Sequence, residues 1–185
     1  MTAAREMTDP ELLAIADEAL PEVVRQAELK MGQTLTIALA ALQRASGLAA
    51  AFGAASAGLL AAAGAMEVLA PAKQPLIAGL TIGAALFLIA ASLCAAACTS
   101  CAYYAAGNEP ASVWMSANNL TGMNRHYCRE LDLRLKRNAG VLARTSRWTN
   151  WGQAVAVAAP FTAVAAYLLA SAHPGLFSCL ATQTC

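Results

Sequence analysis

Three stretches of this chain contain no Lys, Arg, Asp or Glu: residues 45–66, 74–108 and 148–185, which run to 22, 35 and 38 residues. About 20 predominantly apolar residues are enough for a helix to cross a bilayer. Each stretch meets that length, and lipid admits only helices or closed barrels because the backbone must satisfy its own hydrogen bonds. The rest of the composition agrees. Hydrophobic residues are 58% of the chain and charged ones 12%, against about 25% charged in a typical soluble domain. The expected fold class is all-α: an integral membrane protein with three transmembrane helices and cytoplasmic amphipathic helices.

Residues 1–44 are acidic, with seven acids against four bases. They lack a positively charged start followed by an apolar core, so they do not resemble a secretory signal, and the first span is expected to be retained. Asp9-Pro10-Glu11 is one helix-start signature and Pro21 a second, because Pro suits a first turn. From Pro21 onward, Val24, Ala27, Met31, Leu35, Ala38 and Leu42 recur at spacings of three and four, the mark of one apolar helix face. Nothing breaks that pattern before Arg44, so one helix is expected to run into the first span.

The first span, Ala45–Met66, has two unlike faces. Gly47, Ala51, Ala54, Gly58, Ala61 and Ala65 form a small-residue ridge, and Leu48, Phe52, Leu59 and Met66 lie elsewhere. Small residues let helices approach closely, which is how they associate where no hydrophobic drive exists. Pro71 and Pro75 punctuate a short turn that makes the first two spans an antiparallel hairpin. The second span starts near Leu76, carries Gly79 and Gly83 one turn apart, and closes with Tyr103 and Tyr104 at the interface. The expected helix-packing residues are Gly47, Ala51, Ala54, Gly58, Gly79 and Gly83, with the two ridges as natural counterparts within one chain or between copies.

Residues 107–150 carry seven cations, Arg125, Arg129, Arg134, Lys136, Arg137, Arg144 and Arg147, and three acids. Leu120, Met123, Tyr127, Leu131 and Leu135 share a helical stripe, expected to dock on the acidic amino-terminal helix. Loops rich in Lys and Arg stay cytoplasmic. That rule puts this segment and the amino terminus inside and the carboxyl tail outside, as in a bacterial inner membrane. The cations are assigned to topology and anionic headgroups, not to nucleic acid. Trp148 and Trp151 precede a third span at about 154–172, with Pro160 inside it as a candidate kink. The segments expected are thus 1–44 acidic and cytoplasmic, 45–106 hairpin, 107–150 basic and cytoplasmic, 151–174 third span, and 175–185 external tail.

Few constellations could carry chemistry. Cys94, Cys98 and Cys101 have the spacing of an iron–sulfur motif, yet on a helix this spacing stacks three thiols on the Gly79–Gly83 face, where cysteine serves as a small packing residue. They remain the candidates for metal, redox or lipidation chemistry. His126, Cys128, Glu130 and Asp132 include zinc-ligand types, with no second ligand pair in the polar regions. His173 is an interfacial residue at the end of the third span. Asn119-Leu-Thr121 matches a glycosylation acceptor on the cytoplasmic side. Cys179 and Cys185 could form a disulfide if the tail meets an oxidising compartment. No acid or base lies inside a span, so the usual marker of an ion or proton path is missing. No cofactor is expected.

The order of elements over residues 21–147, a cytoplasmic helix entering a two-span hairpin and then a second cytoplasmic helix, resembles the SLATT group of small bacterial membrane effectors. The likeness is one of architecture, carried by no short motif, and the third span departs from it. It implies a membrane-perturbing role. Three functions are expected from the sequence as a whole: a non-enzymatic structural or accessory subunit whose partners are the bilayer and itself or other membrane subunits; a pore-forming or membrane-disrupting effector; and a redox or metal-binding protein using the cysteine face.

Overall fold

The structure is a computed structural model that describes residues 14–70, 73–99, 103–105 and 120–173. Three helices account for nearly all of them: α1 (Leu20–Leu69), α2 (Gln74–Cys98) and α3 (Leu120–Ala172). All three are long and apolar enough to cross a membrane. At 1.5 Å per residue, the 25 residues of α2 extend about 37 Å, slightly more than the roughly 30 Å hydrocarbon layer. The 50 residues of α1 and 53 of α3 are about twice that length.

Local chemistry explains the boundaries. At the start of α1, Pro21 is harmless because its missing N–H would have no helical acceptor. Glu22 lies in the first turn, where the helix dipole favours an anion. Hydrogen bonds from Arg25 and then Gln26 hold its carboxyl down at about 2. The α2 amino terminus has Lys73 at the cap position and Pro75 in the first turn. α1 runs to Leu69 and α2 begins at Gln74, so Pro75 belongs to α2 and not to the turn before it.

The basic segment and the third span, expected as separate elements, are one uninterrupted helix. Trp148, Thr149, Asn150 and Trp151 are all helical, and α3 continues through Pro160. Proline deprives the Ala156 carbonyl of its usual donor. A turn later, the Thr162 hydroxyl donates to the Ala158 and Ala159 carbonyls, local bonding that a helix without water nearby can use.

The chain divides into two compact units. One combines Met1–Ala41 with Ser100–Thr145, and the other combines Leu42–Thr99 with Ser146–Cys185. In the first unit, the α1 stripe faces inward through the buried Met31 and Ala38, and α3 buries Cys128, Leu131, Asn138 and Thr145. In the second unit almost every buried residue is small: Ala45, Ser56 and Ala63 from α1, Ala90, Cys94 and Ala97 from α2, and Ala156, Ala159, Ala166 and Ala170 from α3. Large apolar residues such as Val157, Phe161 and Leu169 are instead exposed. That inversion of the usual core rule is what helices packing in lipid require, since backbone proximity supplies the attraction.

Candidate functional site: a small-residue seam and a buried amide clamp

Helices α2 and α3 approach each other closely at three glycines. A Cβ added to Gly79 would sit 3.0 Å from the Ala163 carbonyl oxygen and 3.3 Å from the Tyr167 Cβ; one added to Gly83 would sit 3.3 Å from the Ala163 Cβ. Farther along, a Cβ on Gly152 would fall 2.6 Å from the Cys94 Sγ and 3.0 Å from the Ala90 carbonyl oxygen. The register is antiparallel and unbroken. Four residues from Gly79 to Gly83 match four back from Tyr167 to Ala163, and eleven from Gly83 to Cys94 match eleven back from Ala163 to Gly152. On α3 the inward positions Thr149, Gly152, Ala156, Ala159, Ala166 and Ala170 are spaced by three, by four or by seven.

Sequence reasoning finds Gly79 and Gly83 but misses the ridge they meet in this chain. The α1 ridge of Gly47, Ala51, Ala54 and Gly58 is exposed, and no atom lies within 4 Å of a Cβ built on Gly47 or Gly58. The α1 face that packs in the second unit is the other one. Phe52 lies with its ring 6.1 Å from that of Phe87, Leu59 approaches Gly83, and the buried Ser56 hydroxyl donates to the Ala84 carbonyl at 2.9 Å. A signal for this existed in Leu48, Phe52, Leu59 and Met66, which share a side with Ser56.

The cysteines divide among environments. Cys94 is fully buried in the seam against Gly152, whereas Cys98 is half-buried and its thiol points to the Cys94 and Leu42 carbonyls. Cys101, Cys179, Cys185 and Asn119 lie outside the described residues, so the three-thiol cluster and the tail disulfide are not placed. Among the described residues, no three His, Cys, Asp or Glu side chains converge as a metal site would need. His126 is exposed and Cys128 buried, and Asp132 is paired with Lys136.

The first unit contains a feature that the sequence reading passed over. Asn138 is fully buried, and its side-chain amide bonds the Tyr104 backbone in both directions. Nδ2 donates to the Tyr104 carbonyl and Oδ1 accepts from the Tyr104 N–H, each at 2.9 Å. The Met31 sulfur lies 3.2 Å from the same Nδ2. Nearby, the Arg137 guanidinium lies 5.6 Å from the Tyr104 ring centroid, and Arg134 donates to the Ala105 carbonyl at 3.3 Å. Residues 134, 137 and 138 thus clamp the short segment 103–105. A clue was available, since Asn138 follows Leu131 and Leu135 on the apolar stripe, where an amide needs a partner.

The two stripes of this unit meet as expected. Tyr127 donates to Glu28 at 2.8 Å and Arg125 pairs with Asp17 at 2.7 Å. Arg134 lies 3.9 Å from Glu130. Arg129, Arg144 and Arg147 are exposed. Cys128, buried beside this contact, has its thiol pushed up above the ordinary range by burial and then by the charge of Asp132.

No family model matches the chain, and neither a curated protein nor a solved structure shows significant similarity to it.

Proposed function

We propose that this is a non-enzymatic multi-pass membrane protein that acts as a structural or accessory subunit of a membrane assembly, with copies of itself or other membrane subunits as partners. One observation carries the reading. The device that joins α2 to α3, a ridge of small residues meeting a second ridge, is present again on α1 at Gly47, Ala51, Ala54 and Gly58, where it faces outward. In lipid such a ridge favours another helix over acyl chains.

The orientation proposed is cytoplasmic for the cation-rich part of α3 and for the amino terminus, and external for the α1–α2 turn, in a bacterial inner membrane. Native Cys128 is a poor reporter of this because it is buried. Exposed positions serve better: a membrane-impermeant thiol reagent applied to intact cells should label Val68→Cys and spare Gly140→Cys, and the reverse pattern inverts the topology.

The assembly itself is tested by the mass of the protein extracted in mild detergent, together with whatever copurifies. A multiple of 19.0 kDa or a stoichiometric partner supports the proposal. A monomer that releases dye from liposomes supports the pore-forming alternative suggested by the SLATT-like architecture.

A further inference from the structure

Two cavities in the second unit adjoin at the Lys73 end of α2. The first, about 270 Å³, is an apolar slot floored by Gly79 and Gly83 and walled by Leu59, Leu80, Ala163 and Val164. The second, about 400 Å³, is bounded by Lys73, Pro75 and Ser171. Leu76 and Tyr167 line both, so the apolar slot has a polar mouth beside it.

The mouth is cationic. Lys73 is exposed at the amino terminus of α2, whose dipole favours an anion, although the Lys73, Leu76 and Ile77 amides are already bonded within the turn. The Ser171 hydroxyl donates to the Tyr167 carbonyl at 2.8 Å, and among the described residues lining the two cavities Lys73 is the one that carries a charge. Glu67, the one acid between residues 45 and 108, lines neither cavity. Ten residues separate Lys73 from Gly83, about 15 Å of helix, which reaches halfway across a hydrocarbon layer of about 30 Å. Tyr167 lies where the slot meets the mouth, as an interfacial tyrosine should.

We infer that these adjoining cavities bind one anionic phospholipid, its phosphate at Lys73 and one acyl chain in the apolar slot. The inference rests on the membrane-spanning reading. An acyl chain is the apolar occupant available along a span, and the cation at the mouth selects a net negative headgroup over a zwitterionic one.

The test uses the full-length protein reconstituted with equal amounts of phosphatidylglycerol and phosphatidylcholine, released gently, and weighed with its bound lipid by native mass spectrometry. The wild type should retain one lipid, with phosphatidylglycerol favoured about fivefold, corresponding to about 1 kcal/mol for a single lysine. Lys73→Gln should bring the two lipids to parity without reducing the total. Val164→Trp, placed on an exposed wall residue to fill the slot without a buried clash, should abolish retention of both while helicity by circular dichroism stays unchanged. Equal retention by the wild type, a preference that survives Lys73→Gln, or lipid that survives Val164→Trp would each overturn the site. Carbonate extraction of the membranes is scored separately. Release into the soluble fraction refutes the membrane-spanning reading and this inference with it, whereas a membrane-retained chain without lipid preference refutes only the inference.

Discussion

Cys94 on α2 and Gly152 on α3 meet so closely that a Cβ on the glycine would lie 2.6 Å from the Cys94 sulfur. Moving the thiol alone does not relieve Gly152→Ala, because the Ala90 carbonyl oxygen stands 3.0 Å from the same point. One helix must shift. Overpacking of this kind typically destabilises by about 1–3 kcal/mol. Gly140, on the same helix, has nothing within 4 Å of its Cβ position, so Gly140→Ala should stabilise by up to about 1 kcal/mol through helix propensity alone. Thermal unfolding in detergent should move in opposite directions for the two variants. A Gly152→Ala protein as stable as wild type would place the α2–α3 contact elsewhere.

Asn138 offers a second test, local to the first unit. Its amide satisfies both backbone groups of Tyr104, and removing one partner of buried hydrogen bonds costs about 1–3 kcal/mol. Asn138→Ala should lower stability by that amount and speed hydrogen exchange at the Tyr104 amide. Arg137→Gln, which removes only the contact with the Tyr104 ring, should cost no more than about 1 kcal/mol. Unchanged exchange at Tyr104 in Asn138→Ala would show that the clamp does not hold the segment in solution.

The docking of α1 on α3 in this unit should depend on apolar contact more than on charge. Met31 and Leu131 are fully buried, whereas Leu35 is only half-buried, so Met31 is the residue to change. Met31→Asp places an unpaired carboxylate in that contact and should cost more than about 3 kcal/mol. Glu28→Gln weakens an exposed bond to Tyr127 and should cost between about 0 and 1 kcal/mol. Limited proteolysis reads the difference: the basic stretch of α3 becomes cleavable in the first variant and stays protected in the second. The opposite ranking would make the contact electrostatic.

How much of this was legible beforehand depends on how distinctive each helix face is. Met31 and Ala38 were readable because charged residues flank their stripe, so the period of 3.6 stands out. Gly79 and Gly83 were readable as a pair one turn apart, the small-residue spacing that permits close helix approach. The α3 ridge was not. Between Gly152 and Ala172 small residues occur on every side, and no periodicity distinguishes Ala156, Ala159, Ala166 and Ala170 from the exposed Ala154, Ala158 and Ala165. The α1 ridge was ambiguous for the same reason: residue size alone does not decide which of two small faces turns inward. The choice of face rested on partners, here Phe87, Ala84 and Gly83, which are distant in the chain. Asn138 needed a backbone 34 residues away.

Cys128 ties stability to pH. Its thiol holds its proton to a higher pH in the folded unit than the ordinary value of 9.0, because burial and then the Asp132 carboxylate both disfavour the thiolate. A group whose folded pKa is raised contributes stability that is intact below the unfolded value and lost as pH rises through the folded one. The difference in stability between wild type and Cys128→Ala should therefore be constant at neutral pH and should change against wild type above about pH 9. Alkylation of Cys128 should be slow at pH 8 and become fast in the Met31→Asp background. Rapid alkylation of the wild type at pH 8 would mean that the thiol is open to solvent.

The outward ridge on α1 decides between an isolated chain and a packed assembly. Gly58 is exposed with nothing within 4 Å of its Cβ position, so within one chain Gly58→Leu meets no clash and replaces a poor helix former with a good one, a gain of up to about 1 kcal/mol. Where a second helix lies against the ridge, the same leucine holds the backbones apart and removes the packing that joins them. The two cases differ in sign. Leu88→Phe, at another exposed position, serves as the control for added bulk. If the ridge is an assembly surface, Gly58→Leu should lower the mass in mild detergent to 19.0 kDa or strip the copurifying partner, with helicity and extraction yield unchanged, while Leu88→Phe keeps the wild-type mass. If both variants keep it, α1 presents this ridge to lipid, and any assembly uses a different face.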